Sequence, residues 1–514
     1  MNKKLLNHAI AVLFAMPTIT MAVELDPLTA TERHQQAYEY RENQAYRNKD
    51  QLPFAHLVNN DETAVALFQG QFHKSLPHDG NGVVDQAAYN ALLNAIQSGT
   101  FEAFEAVPAG GVAKLANPLA AQVYDLEGRD SHDYGIKPAP SLGSAETAAE
   151  MVEVYLKALS RDIPFANFGA SPRIQKAALE LAGLVDFKGP VNQADLFRGI
   201  FAGDQEGPYV SQFLYKDIPL GPKTIDQKYT GYLAGQNFMT SFPSWLAIQN
   251  GQNPTESVAT TKAGYITTGR DLSAYVHRDF TYQAFQNAAL ILLGMGPNVW
   301  DDGNSYKTAA RQGAFVDRGA AEILDMVARA GNASLRAAWF QKWNVHRRLR
   351  PEAYGGLAQT NPGLLHPQFL TSYALKRVQT LYGSPLLPMA YPEGSPNHPA
   401  YPAGHASISG ACVTVLKAFF KEDATIASPV EPGLTRTTLQ VYGGTLTVGG
   451  ELNKLASNIS LGRDWAGVHY RSDGSDGILL GEQVGIAILK DWRDAHPSAP
   501  KLTLVKFDGE EIRI

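Results

Sequence analysis

Residues 145–159 read Ala145-Glu146-Thr147-Ala148-Ala149-Glu150-Met151-Val152-Glu153-Val154-Tyr155-Leu156-Lys157-Ala158-Leu159, and this stretch decides the fold class. Ala148, Met151, Val152, Tyr155 and Leu159 recur at spacings of three and four, which puts them on one face of an α-helix. The same period runs through residues 281–293, 309–330, 335–349 and 366–382, with Gly or Pro at many of the ends. Alternating strand patterns are scarce. The exception is 502–507 and 510–514, which flank Asp508-Gly509 and predict a hairpin closed by a two-residue turn. The expected fold is mainly α, a set of helix bundles with small β additions including that C-terminal hairpin. No Gly/Ser-rich linker divides the chain. The expected organisation is therefore one compact catalytic unit, in which a helical support region (23–270) carries a region bearing the chemistry (271–514).

Composition narrows the function. Of 514 residues, 44 % are hydrophobic and 18 % charged, which suits a folded globular enzyme. The net charge of −6 argues against general nucleic-acid binding, so any anion site must be a local cationic cluster. Residues 1–22 read as a signal peptide, with Lys3 and Lys4 before a short apolar run and Thr20-Met21-Ala22 as the cleavage site. This predicts a periplasmic or secreted protein, and no segment is long enough for a membrane span. The single cysteine, Cys412, lies in an apolar helical run and reads as an inert core residue. His78-Asp79-Gly80-Asn81-Gly82 lacks the ligand spacing of a calcium loop and reads as a turn before a helix near Asp85. Asp301-Asp302-Gly303-Asn304 reads as a polar loop.

Three clusters carry the chemistry. The first is Lys342-Trp343-Asn344-Val345-His346-Arg347-Arg348-Leu349-Arg350-Pro351. On an unbroken helix Lys342 and Arg350 would point about 80° apart. Pro351 pushes Arg350 out of the helical region and frees it to turn toward the same ligand. Arg347 and Arg348 extend a charge run of the kind usually found on a solvated helix end. The second cluster, His398-Pro399-Ala400-Tyr401-Pro402-Ala403-Gly404-His405, leads into an apolar helix. Its first amides favour an anion, and His405 can act as acid or base near neutral pH. The third runs from Asn458 to Asp473 and includes Arg463, His469 and Asp473. A helix would put His469 and Asp473 on one face, where the carboxylate orients the imidazole. Together the clusters supply three cations, backbone donors, one histidine to bond a central atom and another to move protons.

The order Lys342…Arg350-Pro351, Pro402-Ala403-Gly404-His405, Arg463…His469…Asp473 resembles the superfamily of vanadium-dependent haloperoxidases and type-2 acid phosphatases. The Lys-to-Arg gap of eight, where phosphatases have seven, is similar to the algal bromoperoxidase-like branch with bacterial members. So are His398 seven residues before His405, Gly467-Val468-His469-Tyr470 and Leu480-Gly481-Glu482. Asn117-Pro118-Leu119-Ala120, Leu196-Phe197-Arg198-Gly199 and Gly207-Pro208-Tyr209 resemble scaffold segments of that branch.

The resemblance implies a haloperoxidase fold and vanadate as cofactor. In it, His469 is the ligand to the metal, and Lys342, Arg350, Arg463 and the Gly404 amide hold the oxygens. It also implies His405 as acid/base, Lys342 polarising peroxide, and His398 tuning the halide side. Asp473 and Ala403 stand behind the ligands. The partners implied are hydrogen peroxide, halide (bromide or iodide favoured) and small organic acceptors, in a homodimer or larger homo-oligomer. The family usually has serine where this chain has Ala403, so one hydroxyl is absent. A phosphomonoesterase with His469 as nucleophile, and a non-catalytic oxyanion-binding protein, are the alternatives the residues leave open.

Overall fold

Residues 145–159 fold as the sequence predicts, into helix α1 (Ala145–Ser160), whose N-terminus is capped by the Ser144 hydroxyl accepting the Thr147 amide. The computed structural model describes residues 27–51, 54–433, 435–496 and 501–514; the signal-peptide reading of 1–22 lies outside them. Residues 51–514 form one compact unit. Residues up to 50 form a second, in which Ala30–Lys49 is a helix opened by a Thr29/Glu32 capping box and buries no residue.

Six further helices frame the site: α2 (Gly269–Arg278), α3 (Ala320–Phe340), α4 (Pro351–Thr360), α5 (Gly404–Phe419), α6 (Val448–Ala466) and α7 (Arg471–Ala495). Among the described residues the β-strands form short antiparallel pairs. Among the described residues no helix is long and apolar enough to cross a membrane.

The α5/α7 seam explains how the site is assembled. Gly477, Gly481 and Gly485 stand four residues apart on α7 and so share one face. A Cβ at Gly481 would lie 2.0 Å from the Ser407 carbonyl oxygen, and one at Gly410 the same distance from that of Ile478. Only glycine permits backbones this close. The seam brings the N-termini of both helices together, and the Ala403 amide donates to the Asp473 carbonyl at 2.8 Å.

Several boundaries differ from expectation. Residues 309–319 are not helical, because α3 begins at Ala320, and it runs unbroken through the gap expected after residue 330. The helix predicted over 335–349 stops at Phe340 and widens into a π-helical turn, Gln341–His346, before Arg347 adopts a left-handed conformation (φ 43°). Residues 366–382 split into Pro367–Leu370 and Tyr373–Tyr382, because Ser372 caps a new start through the Leu375 amide. The C-terminal hairpin pairs Thr503–Val505 with Glu511–Arg513. Its turn is longer than two residues, with Gly509 N–H donating to Lys506 O, Gly509 at φ 90° and Lys506 N–H bonded to Glu510 O. This is a type I turn followed by a left-handed glycine.

The minor readings hold. Cys412 is fully buried, its thiol against the Val327 carbonyl at 3.4 Å. The Asp79 carboxylate closes its turn on the Asn81 and Val83 amides, ahead of a helix capped by Asp85.

Candidate active site

The π-helical turn and the proline act together on the first cluster. Lys342 is fully buried in the turn, and its ammonium donates to the Pro399 and Ala400 carbonyls at 2.7 and 2.8 Å. Arg350 is the extended residue before α4, which Pro351 opens at its first position. Its guanidinium donates to His398 O, Val468 O, His398 Nδ1 and His469 Nε2, all at 2.8–2.9 Å. Trp339, three residues before Lys342 and on the same helix face, packs on His398 with ring centroids 4.7 Å apart.

Arg463 lies in the last turn of α6. Gly467 ends that helix at φ 88° and bonds back to the Arg463 and Asp464 carbonyls. The chain then needs only Val468 to bring His469 back toward Arg463. His469 is not on a helix, because α7 starts at Arg471; the pairing expected from a helical spacing of four arises from a cap instead. Asp473 reaches back over the start of α7 to His469 Nδ1 (2.8 Å) and the Tyr470 amide (3.1 Å). The proton on His469 is thus held at Nδ1, leaving the Nε2 lone pair facing the cations.

His405 follows Gly404 at the start of α5, and its Nε2 lies 3.1 Å from the Asp279 carboxylate just beyond α2. Ala403 occupies the N-cap position with no side-chain bond to the helix. The Gly404 and His405 amides meet no acceptor among the described residues.

The electrostatics suit an anion. Burial, and then Arg350 beside it, pull the Lys342 ammonium well below its ordinary range. Burial draws Arg350 down to about 9. Burial, then the charges of Arg350, Lys342, Arg463 and His405, hold His469 neutral, well below the usual histidine range. His398 is depressed by burial and the same two cations, Arg350 and Lys342. Among the described residues no carboxylate forms an ion pair with Lys342, Arg350 or Arg463, and Arg463 Nε is buried without a partner. Buried unpaired cations cost several kcal/mol each. Unspent donors around a neutral imidazole nitrogen fit a tetrahedral oxyanion whose central atom takes that nitrogen as a ligand.

All of the predicted site residues therefore belong to this region. The charge run does not behave as predicted. Arg347 pairs with Glu62, and Arg348 is buried, bonded to Asp473 Oδ1 (2.7 Å) and Glu150 Oε2 (3.0 Å). Sequence reasoning missed Arg348, Glu150, Asp279 and Trp339; only Trp339, by its spacing from Lys342, left a signal.

Comparison with known proteins agrees with this geometry. A family model described as the VCPO second helical-bundle domain matches residues 326–496, which contain every residue of the cage. The chain is 35 % identical to a vanadium-dependent bromoperoxidase of Ascophyllum nodosum over 95 % of its own length and 94 % of that protein. It is also 35 % identical to one of Corallina pilulifera, over 91 % and 93 %. The solved structure of the second vanadate-dependent bromoperoxidase of Ascophyllum nodosum, a homohexamer, superposes with a TM-score of 0.92 at 32 % identity, covering 99 % of this chain and 94 % of that one. With the cage, the fold and near full-length relatives in accord, the chain belongs to the vanadium-dependent haloperoxidase family.

Proposed function

We propose that this protein holds vanadate in the cage and uses hydrogen peroxide to oxidise halide, bromide first, to hypohalous acid that halogenates small organic acceptors. The observation that carries the reading is the set of three buried cations bonded to carbonyls or imidazoles and to no carboxylate, gathered around a neutral His469. When bound, vanadate would supply Lewis acidity to activate peroxide toward halide, with no change of its own oxidation state.

The chain's residues have separable tasks. Asp473 holds the Nδ1 proton of His469, so that Nε2, which accepts from Arg350, keeps a lone pair for a ligand. Lys342, with one N–H unspent, Arg350, Arg463 and the Gly404 amide hold the oxygens. His405 stands partly exposed, with its Nε2–H toward Asp279; Nδ1 is the atom that takes a proton from peroxide and returns it. His398 lies between Arg350 and Trp339, on the side suited to a halide. Iodide, more easily oxidised than bromide, should also be turned over.

Homo-oligomeric assembly, as in the solved hexameric relative, is part of this reading, as is export to the periplasm or exterior. The test is bromination by purified protein with peroxide, with and without added vanadate. Phosphate release without peroxide would favour a phosphomonoesterase, and vanadate binding with no halide oxidised would favour an oxyanion-binding protein.

A further inference from the structure

Arg463 is the cation of the cage with the weakest protein support. Its Nη1 donates to the Val276 carbonyl at 2.8 Å, its guanidinium stands 5.7 Å from the centroid of the Tyr391 ring, and its Nε has no partner. Both supports lead to one residue outside the cage. His277 follows Val276 at the end of α2, where the helix emerges from the core. Its ring lies flat on Tyr391, with centroids 3.7 Å apart and planes within 13°. The ring plane is pinned at both nitrogens, Nδ1 by the Tyr232 hydroxyl and Nε2 by the Glu393 carboxylate. The Tyr391 hydroxyl donates to Ser273 O, one turn earlier on α2, at 2.6 Å.

We propose that His277 is a positioning residue for vanadate binding: clamped between Tyr232 and Glu393, it fixes the Tyr391 ring and the Val276 carbonyl, and through them the Arg463 guanidinium. The inference rests on the vanadate reading above. Both ring nitrogens are already bonded, so His277 acts by holding its neighbours in place, and proton transfer is no part of the role. Without the ring, the exposed end of α2 loses its anchor and one face of Tyr391 opens. Arg463 then samples several rotamers, and an anion must order it on binding, which weakens affinity about tenfold.

The experiment titrates vanadate, and separately inorganic phosphate, into the full-length apo-protein by calorimetry, for wild type, His277→Ala, His277→Phe, Tyr391→Leu and the double variant His277→Ala/Tyr391→Leu. His277→Ala should raise both dissociation constants about tenfold, and the loss should fall on vanadate affinity rather than on kcat at saturating vanadate. His277→Phe, which keeps a flat ring on Tyr391 but neither hydrogen bond of the clamp, should recover at most part of the loss. The double variant should bind more weakly than Tyr391→Leu alone by less than the full His277→Ala factor, because the two residues share the Tyr391 route and only the Val276 route is left to lose. If His277→Ala does not fold, His277→Leu, which fills the space without a flat ring, replaces it.

Wild-type affinity in His277→Ala, losses that multiply in full in the double variant, or full recovery in His277→Phe would each overturn the proposal while leaving the function standing. A wild-type protein that bound neither anion would overturn both.

Discussion

Asp473→Asn changes one oxygen for an NH2 group and leaves the shape of the side chain unaltered. Every partner of the carboxylate is a donor: His469 Nδ1–H and the Tyr470 amide on Oδ2, Arg348 Nη1 on Oδ1. An amide must turn its own donor toward one of the two sides. If NH2 faces Arg348, a buried guanidinium loses a charged acceptor. If it faces His469, Nδ1 must accept, the imidazole proton moves to Nε2, and the nitrogen meant for vanadium is blocked. Loss of such an outer partner costs about 10–100-fold in metal affinity, or about 1.4–2.7 kcal/mol. The orphaned buried donor removes a further ~1–3 kcal/mol of folding stability. Calorimetric titration of vanadate at pH 7 should show that loss, and thermal melts of the apo-protein a lower Tm. A folded Asp473→Asn protein that bound vanadate within twofold of wild type would show that Asp473 does not set the His469 tautomer, and the account of the cage would be wrong.

Three further outcomes are expected. Ala403→Ser restores a hydroxyl at the N-cap of α5 and should tighten vanadate binding by about 1 kcal/mol, roughly fivefold by calorimetry; no change would mean that the hydroxyl is spent on capping the helix. Arg463→Met removes a buried unpaired cation, so the apo-protein should be as stable as wild type or more so. Vanadate at about 100 times the wild-type Kd should then stabilise wild type by ~2.7 kcal/mol and the variant by almost nothing. His346→Phe addresses a buried histidine with an unpartnered Nε2, set edge-on against Tyr401 and pulled from its ordinary 6.5 down to about 3 by burial. Because the folded value lies below the unfolded one, the unfolded chain takes the proton first, and wild type loses stability as pH falls below 6.5. The gap between variant and wild type should therefore widen by about 1.4 kcal/mol per pH unit, reaching about 2 kcal/mol at pH 5 in urea melts. A constant gap would refute the assignment.

The helical framework and the cage were legible for different reasons. A buried helix face leaves a period in the sequence, as at 145–159. An anion site that needs several cations and an imidazole draws on a few residue types, and those at Arg350, Arg463 and His469 stand near Pro351 or Gly467, helix breakers that betray their geometry. What stayed hidden depends on partners far away in the chain. Arg348 looks like surface charge until Glu150 and Asp473, 198 and 125 residues distant, close on it. Asp279 meets His405 across 126 residues. The π-helical turn at Gln341–His346 has no compositional mark of its own, and the Pro399 and Ala400 carbonyls that Lys342 meets lie 57 and 58 residues on.

The choice of acceptors explains why the cage stays receptive. Carbonyls of Val276, Pro399, Ala400 and Val468 take some of the donors of Lys342, Arg350 and Arg463 without neutralising them. The carboxylates sit one bond further out: Asp473 on His469 and Arg348, Asp279 on His405. A carboxylate bonded directly to Lys342 or Arg463 would stabilise the apo-protein and compete with the ligand. With carbonyls in those places the desolvation cost of the cations remains uncompensated until an oxyanion arrives. Folding and anion binding are then linked through the same buried charges, and a substitution that strengthens the empty protein at this site does so by weakening its hold on the anion.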